Sequence, residues 1–276
     1  MQKGVKFRID PNKEQQTIIN QTLGCCRLIY NKGLAMRNEA YQNGNKIGYS
    51  QTSAMLTDLK KSDDFAFLKA VDSIALQQSL RDLDRGFVNF FQKRASHPTF
   101  KSKHNHHQSY RTINQGDNIR IVGKYIKLPK LGFVKIRQTM GAEKINNVTI
   151  ERTPTNKYFA VLNVKFEPQP MSNKGGKIGI DVGIKEFYSD SNGNVVYNPK
   201  YLEKSMRKLI REQRKLSRKE KGSTNRNKQR VKVALVHEKI TNQRNDFLQN
   251  ESTKLIRENQ TICIEDLKVK NMMRNH

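Results

Sequence analysis

Two acidic side chains close short apolar runs about eighty residues apart. The first run is Lys177-Ile178-Gly179-Ile180-Asp181-Val182-Gly183-Ile184-Lys185, and the second is Thr261-Ile262-Cys263-Ile264-Glu265-Asp266-Leu267. Apolar runs of this length read as buried strands. Carboxylates are disfavoured inside strands and costly in a core, so an acid ending such a run needs a reason. Neighbouring strands of one sheet lay their carboxyl ends side by side, and Asp181 and Glu265 would then converge on a divalent cation. The competing reading leaves each acid capping a turn, and spacing alone leaves both open. Metal-assisted cleavage of a phosphodiester is the chemistry that the first reading implies.

The charge balance names the partner class. The chain has 276 residues, with 52 Lys plus Arg against 25 Asp plus Glu, a net charge of +27. Such an excess points to polyphosphate, with an anionic membrane as the weaker alternative. No run approaches the roughly 20 apolar residues that a membrane span needs. Met1-Gln2-Lys3-Gly4 leads straight into an alternating strand pattern, which does not read as a signal peptide. The excess is concentrated in residues 200–232, which hold 14 Lys or Arg against Glu203, Glu212 and Glu220, a net of +11. Like charges four apart repel along a helix. A phosphate backbone supplies the compensation and makes binding strongly salt-dependent. Lys204, Arg207, Lys208, Arg211, Arg214, Lys215 and Arg218 are the candidate contacts, against the alternative of a solvated charged face. No recognition-helix or zinc-finger spacing supports base readout.

A basic connector over residues 95–112 adds Lys101, Lys103, Tyr110 and Arg111 as candidate nucleic-acid contacts. His104, His106 and His107 could ligate metal, but beside Lys101 and Lys103 they read better as a solvated basic loop. The cysteines, Cys25, Cys26 and Cys263, form neither a disulfide framework nor a C-x2-C zinc site. Reduced, intracellular, structural thiols are expected, with Cys263 buried in its strand, and no zinc.

The elements that must position these residues follow from periodicity. Val5, Phe7 and Ile9 alternate as a strand that Asp10-Pro11-Asn12 breaks. A helix then starts on Asn12 with Gln15 three residues on. Ile19, Leu23, Cys26, Tyr30 and Leu34 form its apolar face, and Leu76, Leu80, Leu83, Phe87 and Phe90 form that of another. A shorter helical stretch lies around residues 52–60. Short strand patterns follow at Ile119 and Ile121, Ile126 and Leu128, and Phe133 to Ile136. A hairpin comes next, turning at Thr153 to Lys157. Several short strands with turn signals suggest a small barrel completed by residues 5–9. Glu167-Pro168-Gln169-Pro170 through Gly176 is a linker by composition, and Asn192-Gly193 marks a tight hairpin. A long helical region broken at Gly222-Ser223-Thr224 precedes the Glu265 strand.

Lys6-Phe7-Arg8-Ile9-Asp10-Pro11, Leu23-Gly24-Cys25-Cys26-Arg27-Leu28-Ile29-Tyr30-Asn31 and Leu80-Arg81-Asp82-Leu83 with Phe90-Phe91 follow one another in the first part of the chain. Ser109-Tyr110-Arg111-Thr112, Lys127-Leu128-Pro129-Lys130-Leu131-Gly132, Gly179-Ile180-Asp181-Val182-Gly183-Ile184-Lys185 and Ile264-Glu265-Asp266-Leu267 continue the series. In the order and spacing of these motifs the chain resembles the TnpB family, transposon-encoded RNA-guided nucleases related to type V CRISPR effectors. The resemblance implies a multidomain α+β chain. Residues 1–10 and 113–170 would form a small wedge-like β-barrel with a helical recognition lobe, 11–112, inserted in it. Residues 171–276 would form a RuvC-like α/β domain of ribonuclease H fold.

It further implies a guide RNA from the transposon end, a double-stranded DNA target beside a short flanking motif, and Mg²⁺ in a two-metal arrangement. Asp181 and Glu265 match the first and second catalytic, metal-binding acids. Tyr49, Ser53 and Gln77, in Gly48-Tyr49-Ser50-Gln51-Thr52-Ser53 and Ala75-Leu76-Gln77, fall where the flanking duplex would be read. A cytoplasmic, nucleoid-associated prokaryotic protein is the implied setting. The family pattern continues past the second acid to a four-cysteine zinc ribbon and a third catalytic Asp. No CxxC pair and no acid follows Asp266 here. The expectation is an incomplete RuvC-like domain with weak or no cleavage, or a remnant that binds nucleic acid without cutting it.

Overall fold

The computed structural model describes residues 1–105, 107–138, 144–168 and 175–267, and the chain divides after Glu167 into two compact units. His106, most of the expected linker, and Met272 to His276 lie outside the described residues.

The first unit opens with strand β1 (Gln2–Asp10), helices α1 (Lys13–Gln42) and α2 (Tyr49–Lys61), a 3-10 helix (Asp63–Lys69) and helix α3 (Ser73–Phe91). Six strands follow: β2 (Gln108–Ile113), β3 (Arg120–Val122), β4 (Tyr125–Leu128), β5 (Gly132–Ile136), β6 (Ile145–Arg152) and β7 (Tyr158–Lys165). Pro11 stops β1, and the Asn12 side chain accepts from Gln15 N at 2.8 Å while Gln15 Oε1 accepts from Asn12 N at 3.0 Å. This reciprocal cap is the one that the sequence pattern predicts. Gln15 also donates to Leu131 O and Phe133 O, fastening the start of α1 to the sheet.

All seven strands join one antiparallel sheet in the order β2-β6-β7-β1-β5-β4-β3. The N-terminal strand is thus central, paired with β7 from Gln2↔Lys165 to Ile9↔Tyr158 and with β5 at Ile9↔Ile136. Arg137 adds two hydrogen bonds to Asp10 at this end, holding its carboxyl below the usual carboxylate range. The expected small barrel is, among the described residues, an open ladder ending at β2 and β3. Asn114, just past β2, donates to Ile119 O and Ile145 O near that end.

Two sequence expectations shift. After the helices the sheet resumes at Gln108, so the last residues assigned to an inserted helical lobe are strand. Helices and sheet also share a core: Ile19, Leu23 and Leu76 lie in one cluster with Ile126, Val148 and Leu162. Gly33 allows the close approach of α1 to α3, since a Cβ there would meet Leu80 Cδ2 at 2.8 Å.

The second unit contains β8 (Gly176–Asp181), β9 (Glu186–Asp190), β10 (Val195–Tyr197), α4 (Tyr201–Ser217), α5 (Thr224–Glu258) and β11 (Asn259–Ile264). The sheet order is β10-β9-β8-β11. β10, β9 and β8 pair antiparallel, and β11 pairs parallel to β8. A parallel partner needs a long crossover, and α4 and α5 lie within it. Gly193, at φ +82°, turns β9 into β10, and Asp190 caps that turn through the backbone of Asn192 and Asn194. Ser223 caps α5 by accepting from Arg226 N at 3.1 Å.

The expectation of two buried strands is corrected. In β8 only Ile178 is buried, and in β11 Ile264 is 70% exposed and Cys263 exposed. β11 is the end strand of the sheet, so no neighbour covers its outer edge among the described residues. No helix among the described residues is long and apolar enough to cross a membrane.

Candidate metal and nucleic-acid site

Strand register decides the relation of the two acids. Cys263 pairs with Gly179 and Ile264 with Ile180 in the parallel ladder. Asp181 and Glu265 are the next residue on each chain, so they sit side by side at the same carboxyl end. Adjacent strands are about 4.8 Å apart, within the span of one cation's ligand sphere. Both acids are exposed, and neither is drawn into an ion pair among the described residues.

Gly183 sits in the tight turn that follows, where a Cβ would come within 3.0 Å of Glu186 O. Other acids lie near this end: Asp266 directly follows Glu265 and Glu186 opens β9. Asp190 pairs with Ile180, one residue out of step with Asp181. Its carboxylate is spent on the hairpin turn, where the Asn194 side chain and the backbone of Asn194 and Asn192 lower its pKa. Among the described residues no group of three or more His, Cys, Asp or Glu is gathered for a metal.

The basic segment forms an antiparallel pair of helices. Leu209 on α4 packs with Val236 and Ile240 on α5. Gln229 ties them, donating to Glu212 Oε2 at 2.7 Å and to Glu212 O at 3.1 Å. Glu212 is buried, and the Gln229 bond with Lys215 and Arg211 nearby holds its carboxyl low. Against it lies a cavity of about 430 Å³ lined by Lys204, Lys208, Lys215, Lys232 and Lys239. One buried carboxylate cannot neutralise five ammonium groups, so the groove keeps a net positive field for phosphate. Arg207, Arg211 and Arg214 on α4, and Arg218 at its C-cap, are exposed. Lys232 was counted in the basic segment but not named as a contact, and Lys239 lies beyond that segment. Their seven-residue spacing on α5 places them on one helix face, a signal that the density of neighbouring charges hid.

In the first unit the structure brings the three polar candidates together. The Arg81 guanidinium lies 4.5 Å over the Tyr49 ring, and Lys60 Nζ donates to Ser73 Oγ, so α2 and α3 run antiparallel. Ser53 is one turn beyond Tyr49 and Gln77 one turn before Arg81, which sets them level across the two helices. Gln77 is exposed, and Ser53 and Tyr49 half-buried. Arg81 belongs to this patch and was missed as a site residue.

The connector candidates separate. Lys103 is exposed. Lys101 is exposed along its stem, but its ammonium rests 4.0 Å over the Tyr30 ring, and burial lowers its pKa against the opposing pull of Asp82. Tyr110 is buried in the shared core, with burial raising its phenol pKa, so it presents no surface to a ligand. Alternation along β2 sends Tyr110 and Thr112 inward and Arg111 outward, where Arg111 pairs with Asp82 of α3. Two of the segments carrying the family resemblance thus meet in a clamp between helix and sheet.

Comparison with known proteins identifies the family. Residues 156–276 match an OrfB family described as "Probable transposase". Residues 1–46 match a "Helix-turn-helix domain", although that span here holds one strand and one 30-residue helix. A Streptomyces pristinaespiralis protein named "Putative RNA-guided DNA endonuclease" is 39% identical over all of this chain and 69% of its own length. The Escherichia coli (strain K12) protein InsQ, with the same description, is 35% identical over 98% of this chain and 67% of its own. The chain therefore spans about two-thirds of the length of these relatives. A CRISPR-Cas12f ternary complex aligns over 96% of this chain and 65% of that one at 14% identity, but a TM-score of 0.35 carries no argument. On the strength of these two relatives, which match nearly the whole of this chain, the chain belongs to the TnpB (OrfB) family of transposon-associated proteins that bear the name RNA-guided DNA endonuclease.

Proposed function

We propose that the chain binds a guide RNA from the transposon end and uses it to engage double-stranded DNA, with a RuvC-like ribonuclease H fold in the second unit as its cutting module. The first-unit sheet, including β2, would serve as the barrel-like wedge, and α1 to α3 as the recognition lobe that reads the flanking duplex through Tyr49, Ser53 and Gln77. The observation that carries this reading is the parallel register of β8 and β11, which makes neighbours of Asp181 and Glu265. A generic basic protein has no reason to place two unpaired carboxylates there.

Mg²⁺ is the cofactor that this reading requires, and the donor set suits it: hard carboxylate oxygens, exposed, at one sheet end. When bound, divalent cations stabilise the attacking and leaving oxygens of the phosphodiester. Asp181 and Glu265 would hold that charge in place, while the α4–α5 lysines hold backbone phosphate without reading sequence. No zinc is expected from the cysteine spacing.

One observation favours a second, non-cutting reading. Two carboxylates supply at most two negative charges, half of what two divalent cations carry, and no third ligand joins them among the described residues. This chain alone is therefore read as a weak or silent nuclease that still binds nucleic acid. The test is titration calorimetry with Mn²⁺, followed by incubation with guide RNA, matched duplex and Mg²⁺. Measurable Mn²⁺ binding that Asp181→Ala removes, with little cutting, is the expected result. Robust cutting that survives Asp181→Ala would end the assignment of the site. Robust cutting lost in Asp181→Ala would keep the acids and reject the silent reading.

A further inference from the structure

A second cavity, of about 340 Å³, opens where α1 and α3 end, lined by Tyr41, Lys46, Phe87, Phe90, Phe91 and His97 among others. Its walls are locked. The His97 ring stands edge-on to both Phe87 and Phe90, with centroids 5.2 Å away in each case. The Arg37 guanidinium lies 4.0 Å over the same Phe87 ring and is held there by Asp84 at 2.8 Å. Yet Tyr41 is 77% exposed and Phe91 70% exposed at the mouth of this formed pocket. Core packing accounts for Phe87, which is buried with Tyr30, Leu34 and Leu83. Phe91 touches Phe87 and Phe90, with centroids 6.3 and 5.3 Å away, but that packing leaves most of its ring, and of Tyr41, open.

The geometry points to a stacking site for one unpaired base of single-stranded nucleic acid, an inference that rests on the nucleic-acid reading above. Open aromatic faces accept any base by stacking, and single strands are the form in which bases are free to leave their neighbours. Asn38 and Asn45 also line the pocket, offering amide donors and acceptors suited to a base edge. Lys46 lines it too, and exposed Lys93 and Arg94 follow closely in the chain after the lining residue Phe91, which supplies cations for the attached phosphates. An apolar peptide has no use for that charge. A duplex keeps its bases stacked inside and cannot fill the pocket.

The test uses a short single strand carrying one 2-aminopurine, prepared in ribose and deoxyribose forms, and the full chain. The protein contains no Trp, so the probe's fluorescence stands alone. Binding should quench it. Phe91→Ala and Tyr41→Ala, both at exposed positions, should relieve the quenching and weaken binding roughly 5- to 100-fold, the loss of one base stack. Phe91→Tyr should restore both. Whichever sugar form shows the larger effect identifies RNA or DNA as the source of the base. Unchanged quenching and affinity in both alanine variants, with wild type binding, would overturn the inference alone. So would equal quenching by the matched duplex, or variants that lose only self-association. Wild-type chain that binds neither strand at low salt would overturn the function proposed above as well.

Discussion

Asp181 and Tyr110 show how little residue type says without its surroundings. Asp181 stands exposed at a strand end beside a second carboxylate, a place where charge is useful and inexpensive. Tyr110 sits in a motif that suggested nucleic-acid contact, but its ring fills the core between α3 and the sheet. Lys103, seven residues earlier, is solvent-exposed. We therefore expect Tyr110→Ala to cost about 3–5 kcal/mol in urea denaturation, the range for truncating a buried aromatic side chain. Lys103→Ala should leave stability within about 0.5 kcal/mol, as for surface changes generally. Equal stability of the two variants would return Tyr110 to the surface. Asp82 links both regions, since it pairs with Arg111 and its charge also reaches the Lys101 ammonium.

At the scale of elements, what matters is how each start and stop is fixed. The chain leaves β1 at Pro11 and enters α1 through the Asn12–Gln15 cap, and the same Gln15 reaches the sheet at Leu131 and Phe133. One side chain thus sets where a helix begins and how it docks. Asn12→Ala loses the cap and should cost about 1 kcal/mol. Gln15→Ala loses the reciprocal bond and both tertiary bonds, and should cost about 2 kcal/mol. Chemical denaturation of the two variants checks the order. A larger cost at Asn12 would mean that the docking bonds contribute nothing net. In the second unit the equivalent decision is the β8–β11 register, because a slip of one residue would turn one carboxylate to the opposite face.

For the whole molecule, a net charge of +27 sets how strongly it holds polyanions and how steeply salt weakens that hold. The α4–α5 groove gathers its lysines around one buried acid. Replacing Lys208, Lys215, Lys232 and Lys239 with Ala should flatten the plot of log K against log salt by up to about 3–4 for duplex DNA, near 0.9 for each phosphate no longer neutralised. An unchanged slope would place the phosphates elsewhere. The relatives of this chain are about half as long again, and both units described here fall within the matched span.

Local rules sufficed wherever the cause was local. The Asn12 cap, the Asn192-Gly193 turn, the helix break at Gly222-Ser223-Thr224 and the presence of strands running up to Asp181 and Glu265 were all legible from pattern and turn chemistry. Ordered motifs along the full length placed the chain in its family. What neighbours decide was not legible: that β1 is central, that helices and sheet share one core, that Tyr110 is buried, and that Cys263 is exposed on an end strand. An apolar strand in the middle of a sheet and one at its edge can have the same sequence, because burial depends on which element lies alongside. The proximity of Asp181 and Glu265 belongs to the same class. Eighty-odd residues of crossover separate them, and only pairing between β8 and β11 brings their charges to one place.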